Sequence, residues 1–295
     1  MNTLLRNYKY RTREAALLDL LDNSVFFAKP TQFHSNNDKL EGEFVMETNA
    51  STLSNSFDEA TNILAKNRGL STGNSMKPSI EFVEMVDVEN MKYIKQAKEL
   101  GVFSASTTYD NQAMWSHYCK NEGLCFELEW DQKLVEERHL LISKVKYSNK
   151  PQVTNRDVIL KNMLVELGNK HPEWSMNEIY NFFLSAEFRK QLVHEFIINC
   201  SCIKRECWSY EDEIRLLSPK SQNFNILNKI LKSVYMFIPQ FSSPNFREEI
   251  IKSRLLRIIW MQLACKYPNV NIYGLSYDKY GKLNKEEIFL REFTD

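Results

Sequence analysis

The sequence predicts a mixed α+β fold, and three observations carry that expectation. Stretches of apolar–polar alternation, the period of a strand, are interleaved with stretches of helical period, and the helices between them differ widely in length. A helical run at about 154–204 lies between strand-like segments and reads as an insertion into a single domain spanning 1–295. Hydrophobic residues make up 43% and charged residues 26% of the chain, so a 295-residue protein of this composition can bury a sizeable core.

In chain order, residues 12–22 carry Ala15, Ala16, Leu17, Leu18, Leu20 and Leu21, a broad apolar helical face that Asn23 ends. Residues 24–28 are a short buried strand, and 30–42 a polar loop. A weakly amphipathic helix at 57–67 leads into a connector of Gly, Ser, Thr and Asn at 68–77. A further helix at 78–100 delivers the chain to a strand end at 102–106. Asp110 or Asn111 then caps a short helix holding Met114, Trp115 and Tyr118. Gly123 turns the chain into a second strand at 124–128, followed by a short helix at 131–138 and a strand at 140–147. After the helical run, residues 208–217 return to period two. A strand at 234–238, a long helix at 245–266, a strand at 270–277 and an edge strand near 287–290 complete the chain.

Lys plus Arg and Asp plus Glu both number 38, so no global field recruits nucleic acid or an anionic membrane. No stretch approaches 18 uncharged apolar residues, and the first residues lack an apolar signal core. A cytoplasmic protein with no membrane partner is expected, its six cysteines reduced. Cys200, Cys202 and Cys207 with His194 upstream fit none of the usual zinc spacings, so no metal is expected. Phosphate-binding glycine motifs are absent too.

The residues that could carry chemistry fall in three places. Glu211 and Glu213 form a Glu-x-Glu which, on a strand, puts both carboxylates on one face about 6–7 Å apart. Such a pair suits reaction at a sugar carbon, one acid steadying an oxocarbenium-like transition state and the other handling the nucleophile. Arg11, after Tyr10 in a Tyr-Lys-Tyr-Arg run, could hold a pyrophosphate bidentately. Between them, Ser104, Ser106 and Thr107 close a strand end, and Trp115, His117 and Tyr118 share a short helix. Ordinary packing and turn closure account for the same residue types.

The chain resembles a family of uncharacterised bacterial proteins, a domain of unknown function. The resemblance rests on Tyr8 to Arg11, on the loop from Phe33 to Glu41, on Phe103 to Phe126 with its Met-Trp-Ser-His-Tyr, and on Trp208 to Arg215. The loop is expanded and lacks the family's proline, leaving Asn37 and Asp38 as its equivalents. More distantly, the order Arg, Ser-x-Ser-Thr, Glu-x-Glu is similar to that of ADP-ribosyltransferases. That similarity implies a split central sheet with a helical insertion, and NAD as substrate. Arg11 would contact the NAD phosphates and Ser104, Ser106 and Thr107 would order the nicotinamide half. Glu213 would hold the nicotinamide ribose and Glu211 would engage the acceptor. His117, the third catalytic candidate, and Tyr118 would hold the adenosine ribose or stack on the nicotinamide, and Tyr10 and Trp115 would also bind NAD.

The expectation is therefore an enzyme moving ADP-ribose from NAD to a macromolecular acceptor, protein or nucleic acid. It would serve as a toxin or phage-defence effector, with an antitoxin or defence-system partner. Two alternatives are a nuclease using Asp38, Glu211 and Glu213 as metal ligands, and a non-catalytic module that senses a nucleotide.

Overall fold

The computed structural model describes residues 4–32, 45–47, 50–69, 95, 97–149, 153–237, 250–277 and 283–288. The expected loop at 33–41, with Asn37 and Asp38, lies outside them, as does most of 70–96. Described strands are β1 (Leu5–Arg11), β2 (Val25–Phe27), β3 (Val45–Glu47), β4 (Gly101–Ser106), β5 (Leu124–Trp130), β6 (Leu141–Lys144), β7 (Lys146–Tyr147) and β8 (Val153–Asn155). The series continues with β9 (Ile203–Lys204), β10 (Glu213–Ser218), β11 (Gln222–Phe224), β12 (Leu231–Phe237), β13 (Asn271–Tyr277) and β14 (Leu283–Ile288). The helices are α1 (Arg13–Asp22), α2 (Ala50–Asn67), α3 (Gln112–Cys119), α4 (Gln132–Glu137), α5 (Arg156–Lys170), α6 (Met176–Phe183), α7 (Ala186–Ser201), α8 (Leu227–Ile230) and α9 (Arg254–Lys266).

The chain divides into two compact units: one of Met1–Lys29, Leu100–Tyr147 and Lys204–Asp295, the other of Pro30–Glu99 and Ser148–Ile203. The helical run read as an insertion at 154–204 thus shares its unit with an earlier segment. In that unit Phe57, Ala60 and Leu64 of α2 pack with Leu160 and Leu164 of α5, Ile179 and Phe183 of α6, and Phe188 and Leu192 of α7. Arg68 closes it: its guanidinium donates to the carbonyls of Gly168 (2.7 Å), in the last turn of α5, and of His171 (3.0 Å) and Trp174 in the turn that follows.

The other unit is built on an eight-stranded mixed sheet in the order β14-β13-β12-β5-β1-β4-β10-β6. Only β12 and β13 are parallel neighbours within it, joined through α9; the remaining pairs are antiparallel. The split that the resemblance implied is not a break, since the strands form one hydrogen-bonded order. The sheet does come close to opening between β1 and β4, where the register rests on the single pair Tyr8↔Ser106. There the Lys9 ammonium reaches across to the Ser104 carbonyl and satisfies an acceptor that the ladder leaves open. Burial, and then the nearby Arg11 charge, push that ammonium down to about 7.

One face of the sheet buries Phe103, Phe126, Leu128, Trp130, Leu216, Val234 and Ile272 beneath Ala16 and Leu20 of α1 and Ile259, Trp260 and Leu263 of α9. Thr12 caps α1 by accepting from the Ala15 N–H, and Asn23, left-handed at φ 52, ends it. Register fixes what the opposite face presents. Tyr8 lies opposite both Ser106 and Glu127, Glu213 lies opposite Ser106, and Tyr235 lies opposite both Cys125 and Tyr273. Residues in register share a face, so acids, serines and tyrosines line this side. Helix α3 packs on it through Met114, Trp115 and Cys119. Gly123 permits the tight return into β5: a Cβ there would stand 2.1 Å from the Arg11 carbonyl oxygen.

Candidate functional site

The alternation at 208–217 predicts one continuous strand, and the structure corrects this. Residues Glu206–Glu211 form a 3-10 turn, and β10 begins only at Glu213. Asp212 between them is left-handed (φ 41, ψ 57), an uncommon conformation for a residue with a side chain. Thr107 helps hold it there: the Thr107 N–H donates to the Asp212 carbonyl at 3.1 Å, and the Thr107 hydroxyl to the Asp212 carboxylate. Glu211 and Glu213 therefore do not share a strand face. They share a cation instead, for Lys204 Nζ donates to Glu211 Oε2 at 2.7 Å and to Glu213 Oε2 at 3.4 Å.

This cluster is out of solvent. Lys204, Glu211, Glu213 and Arg215 are all 5% exposed or less, so their charges must be answered by one another. Arg215 grips Glu213 with Nε on Oε1 at 2.7 Å and Nη2 on Oε2 at 3.2 Å, and Ser104 lies opposite Arg215 on the neighbouring strand. The Glu213 N–H donates to the Tyr147 hydroxyl at 2.8 Å. Burial alone would push Glu213 up, but the Arg215 and Lys204 charges outweigh it and hold the carboxyl well below the usual range. Glu211 goes the other way. Burial raises it more than Lys204 draws it down, and the Glu213 charge adds to the rise.

Above the buried layer lies an accessible one. Tyr118, 40% exposed, donates its hydroxyl to Glu211 Oε1 at 2.6 Å. Beside it, exposed His117 places Nδ1 2.7 Å from the Tyr210 hydroxyl, with the two rings edge to face at 5.6 Å. Burial pushes the Tyr210 phenol up to about 12. The N-cap of α3 fixes this geometry. Asn111 accepts from the Ala113 and Met114 N–H groups while its amide donates to the Tyr210 carbonyl, tying helix to turn. A phenol, an imidazole and a buried acid thus meet at one opening.

Other residues expected in the site stand elsewhere. Arg11 lies opposite Leu124, an odd step along β1 from Tyr8, and so on the sheet face away from Glu213. Its Nε donates to Asp19 at 2.7 Å. Tyr10 is buried and donates to the Thr108 carbonyl at 2.9 Å. Trp115 has no exposed surface and donates from Nε1 to the Tyr109 carbonyl at 2.7 Å. Ser106 accepts from the Thr108 N–H at 3.3 Å, closing the turn after β4. Of the nine residues besides Arg11, the structure brings Glu211, Glu213, His117 and Tyr118 together, with Ser104 on the adjoining strand opposite Arg215. It adds Lys204, Arg215, Tyr147 and Tyr210, of which Tyr210 and Arg215 stood within the Trp208 to Arg215 motif.

Among the described residues, no group of three or more His, Cys, Asp or Glu side chains could hold a metal ion. A groove in the helical unit, lined by Ile63, Lys161, Val165, Glu166 and Lys170, has its charges already paired: Lys170 with Glu166 at 2.7 Å and Lys161 with Glu59 at 2.9 Å. No helix among the described residues is long and apolar enough to cross a membrane.

Residues 114–216 match a family described as a protein of unknown function (DUF2971). No curated protein and no solved structure matches the chain. The matched span opens in α3 and closes in β10, so it holds His117, Tyr118, Tyr147, Lys204, Tyr210, Glu211, Glu213 and Arg215. Arg11 and Ser104 to Thr107 fall outside it. The chain is thus similar, over the stretch carrying this cluster, to an uncharacterised domain family.

Proposed function

We propose that the protein transfers ADP-ribose from NAD to a macromolecular acceptor, using the Glu211 cluster as its active site. A toxin or phage-defence effector, neutralised by a dedicated partner, is the setting this activity would suit. The observation that supports the reading is the acid pair held by one buried lysine beneath Tyr118 and His117. Carboxylates at the end of a strand, one locked and one adjustable, suit chemistry at a sugar carbon.

The roles divide by environment. Glu213, fixed by Arg215 and Lys204, stays ionised and is positioning rather than reactive. Glu211 is raised by burial, which makes its carboxylate a stronger base when ionised. In the proposed step the C1′–N bond breaks and nicotinamide leaves with the bonding pair. The acceptor nucleophile then attacks C1′, and its proton passes to Glu211 directly or through Tyr118. His117 and Tyr210 stand at the opening, where an acceptor would approach. Arg11 takes no part, since Asp19 holds it on the other face; the phosphate contact must come from another residue.

A second reading is a module that binds a nucleotide without turning it over. Its support is that Lys204, Arg215, Glu211 and Glu213 are mutually neutralised as they stand. Incubating the purified protein with labelled NAD and host lysate separates the two. Label transfer that is lost in Glu211→Gln supports the transferase. NAD-induced thermal stabilisation with no label transfer and no nicotinamide release supports the sensor.

A further inference from the structure

Met261 and Leu18, at 62% and 61%, are the most exposed large apolar side chains among the described residues. A single exposed apolar residue needs no explanation, but these two belong to one surface. Helices α1 and α9 pack against each other on the apolar face of the sheet, away from the face that carries Glu213. Their C-terminal ends are tied. The Tyr267 hydroxyl donates to the Leu20 carbonyl at 3.1 Å, and Lys266 Nζ to the Leu21 carbonyl at 3.0 Å. Ala16 and Leu20 of α1, with Leu256, Ile259, Trp260 and Leu263 of α9, are buried in the core beneath. The opposite stripes of the two helices therefore face outward together.

Those stripes differ in charge. On α1, helical spacing aligns the exposed Glu14, Leu18, Leu21 and Asp22. On α9 it aligns the exposed Arg254, Arg257 and Met261. Nearby, Arg11 pairs with Asp19 at 2.7 Å and Arg13 with Glu122 at 3.8 Å. Among the described residues, Glu14, Asp22, Arg254 and Arg257 form no ion pair. An acidic ridge with an apolar centre thus runs beside a basic one.

We infer that α1 and α9 form a self-complementary surface on which a second copy of this chain docks as a two-fold dimer. In such an isologous contact each ridge meets the other kind. Leu18 and Leu21 of one copy cover Met261 of the other, and Glu14 and Asp22 answer the arginines. Two helices, each about 10 Å across and about 15–20 Å long, make a small interface of the transient kind. Association is therefore dependent on concentration and weakened by salt. This dimer does not rest on the NAD reading, because it buries the sheet face opposite to the one carrying Glu213.

Sedimentation velocity of the full-length protein, over a concentration series reaching the submillimolar range, tests this with two charge-reversed variants. One combines Glu14→Lys with Asp22→Lys, the other Arg254→Glu with Arg257→Glu. Each alone sets like charges against each other on both sides of the axis and should weaken self-association at least about tenfold. Mixed in equal amounts, the two should form a heterodimer, since each then meets its opposite charge on both sides. All four positions are exposed, so melting temperatures should stay near that of the wild type. A wild type that stays monomeric throughout the series, a dimer that neither variant weakens, or variants that fail to associate when mixed would overturn the inference.

Discussion

Replacing Lys204 with methionine removes the one cation that Glu211 and Glu213 share while keeping the volume of the stem. Glu213 would retain both Arg215 contacts, at 2.7 and 3.2 Å. Glu211 would retain the Tyr118 hydroxyl at 2.6 Å but lose its 2.7 Å ion pair at a site only 2% exposed. Breaking a buried pair by removing one partner costs about 3–5 kcal/mol, against a total stability of about 5–15 kcal/mol for a domain. The pH dependence carries the sign. Without Lys204 the Glu211 carboxyl rises further above its unfolded value, so the folded variant binds a proton that the unfolded chain gives up. The variant's deficit should be small where Glu211 is protonated and grow as pH rises through its raised value. Adding Glu211→Gln should recover most of the loss and flatten the pH dependence. Urea unfolding at pH 5 and pH 8 reads this, followed by tryptophan fluorescence, because Trp115, Trp130, Trp208 and Trp260 all lie in the sheet unit. A deficit below about 1 kcal/mol at both pH values, or one independent of pH, would mean that Lys204 does not hold Glu211 as an ion pair.

Other perturbations probe the frame around the site. Asn7 is fully buried in β1, and neither polar atom of its amide has a hydrogen-bond partner among the described residues. Asn7→Val should therefore stabilise the protein by about 1–2 kcal/mol, measured as a shift in urea midpoint. Asp212→Gly relieves the left-handed backbone but loses the Thr107 contact and should be near neutral. Asp212→Ala loses the contact without relief and should cost about 2 kcal/mol. Arg68→Ala removes the guanidinium that ties the Gly168, His171 and Trp174 carbonyls together and should cost the helical unit about 2 kcal/mol, seen as faster amide exchange at 164–170.

Elements with a clean period were legible in the sequence. The apolar stripe at 12–22 gives α1, the short run at 131–138 gives α4, and the strand-like run at 270–277 gives β13. The turn at 206–211 was not, because Trp208 and Tyr210 satisfy a period of two as readily as they fit a tight turn. Strand β1 was hidden for the opposite reason. Asn7 and Lys9 are polar residues at covered positions in mid-sheet, where a buried strand is expected to be apolar. Within the site, the Glu-x-Glu and the helix of His117 and Tyr118 could be read as chemistry-bearing. Lys204 could not, since it follows a helical run and meets the acids only through folding. The faces of β1 explain Arg11: a three-residue step from Tyr8 turns its side chain away from Glu213, and a one-dimensional order cannot show that.

The most direct test of the central claim is nicotinamide release from NAD by the purified wild type beside Glu211→Gln and Arg11→Ala. Release by the wild type is expected, with a loss of at least about a hundredfold in Glu211→Gln and near-wild-type rates in Arg11→Ala. Absence of release from the wild type in the presence of host lysate, or unchanged release in Glu211→Gln, would contradict it.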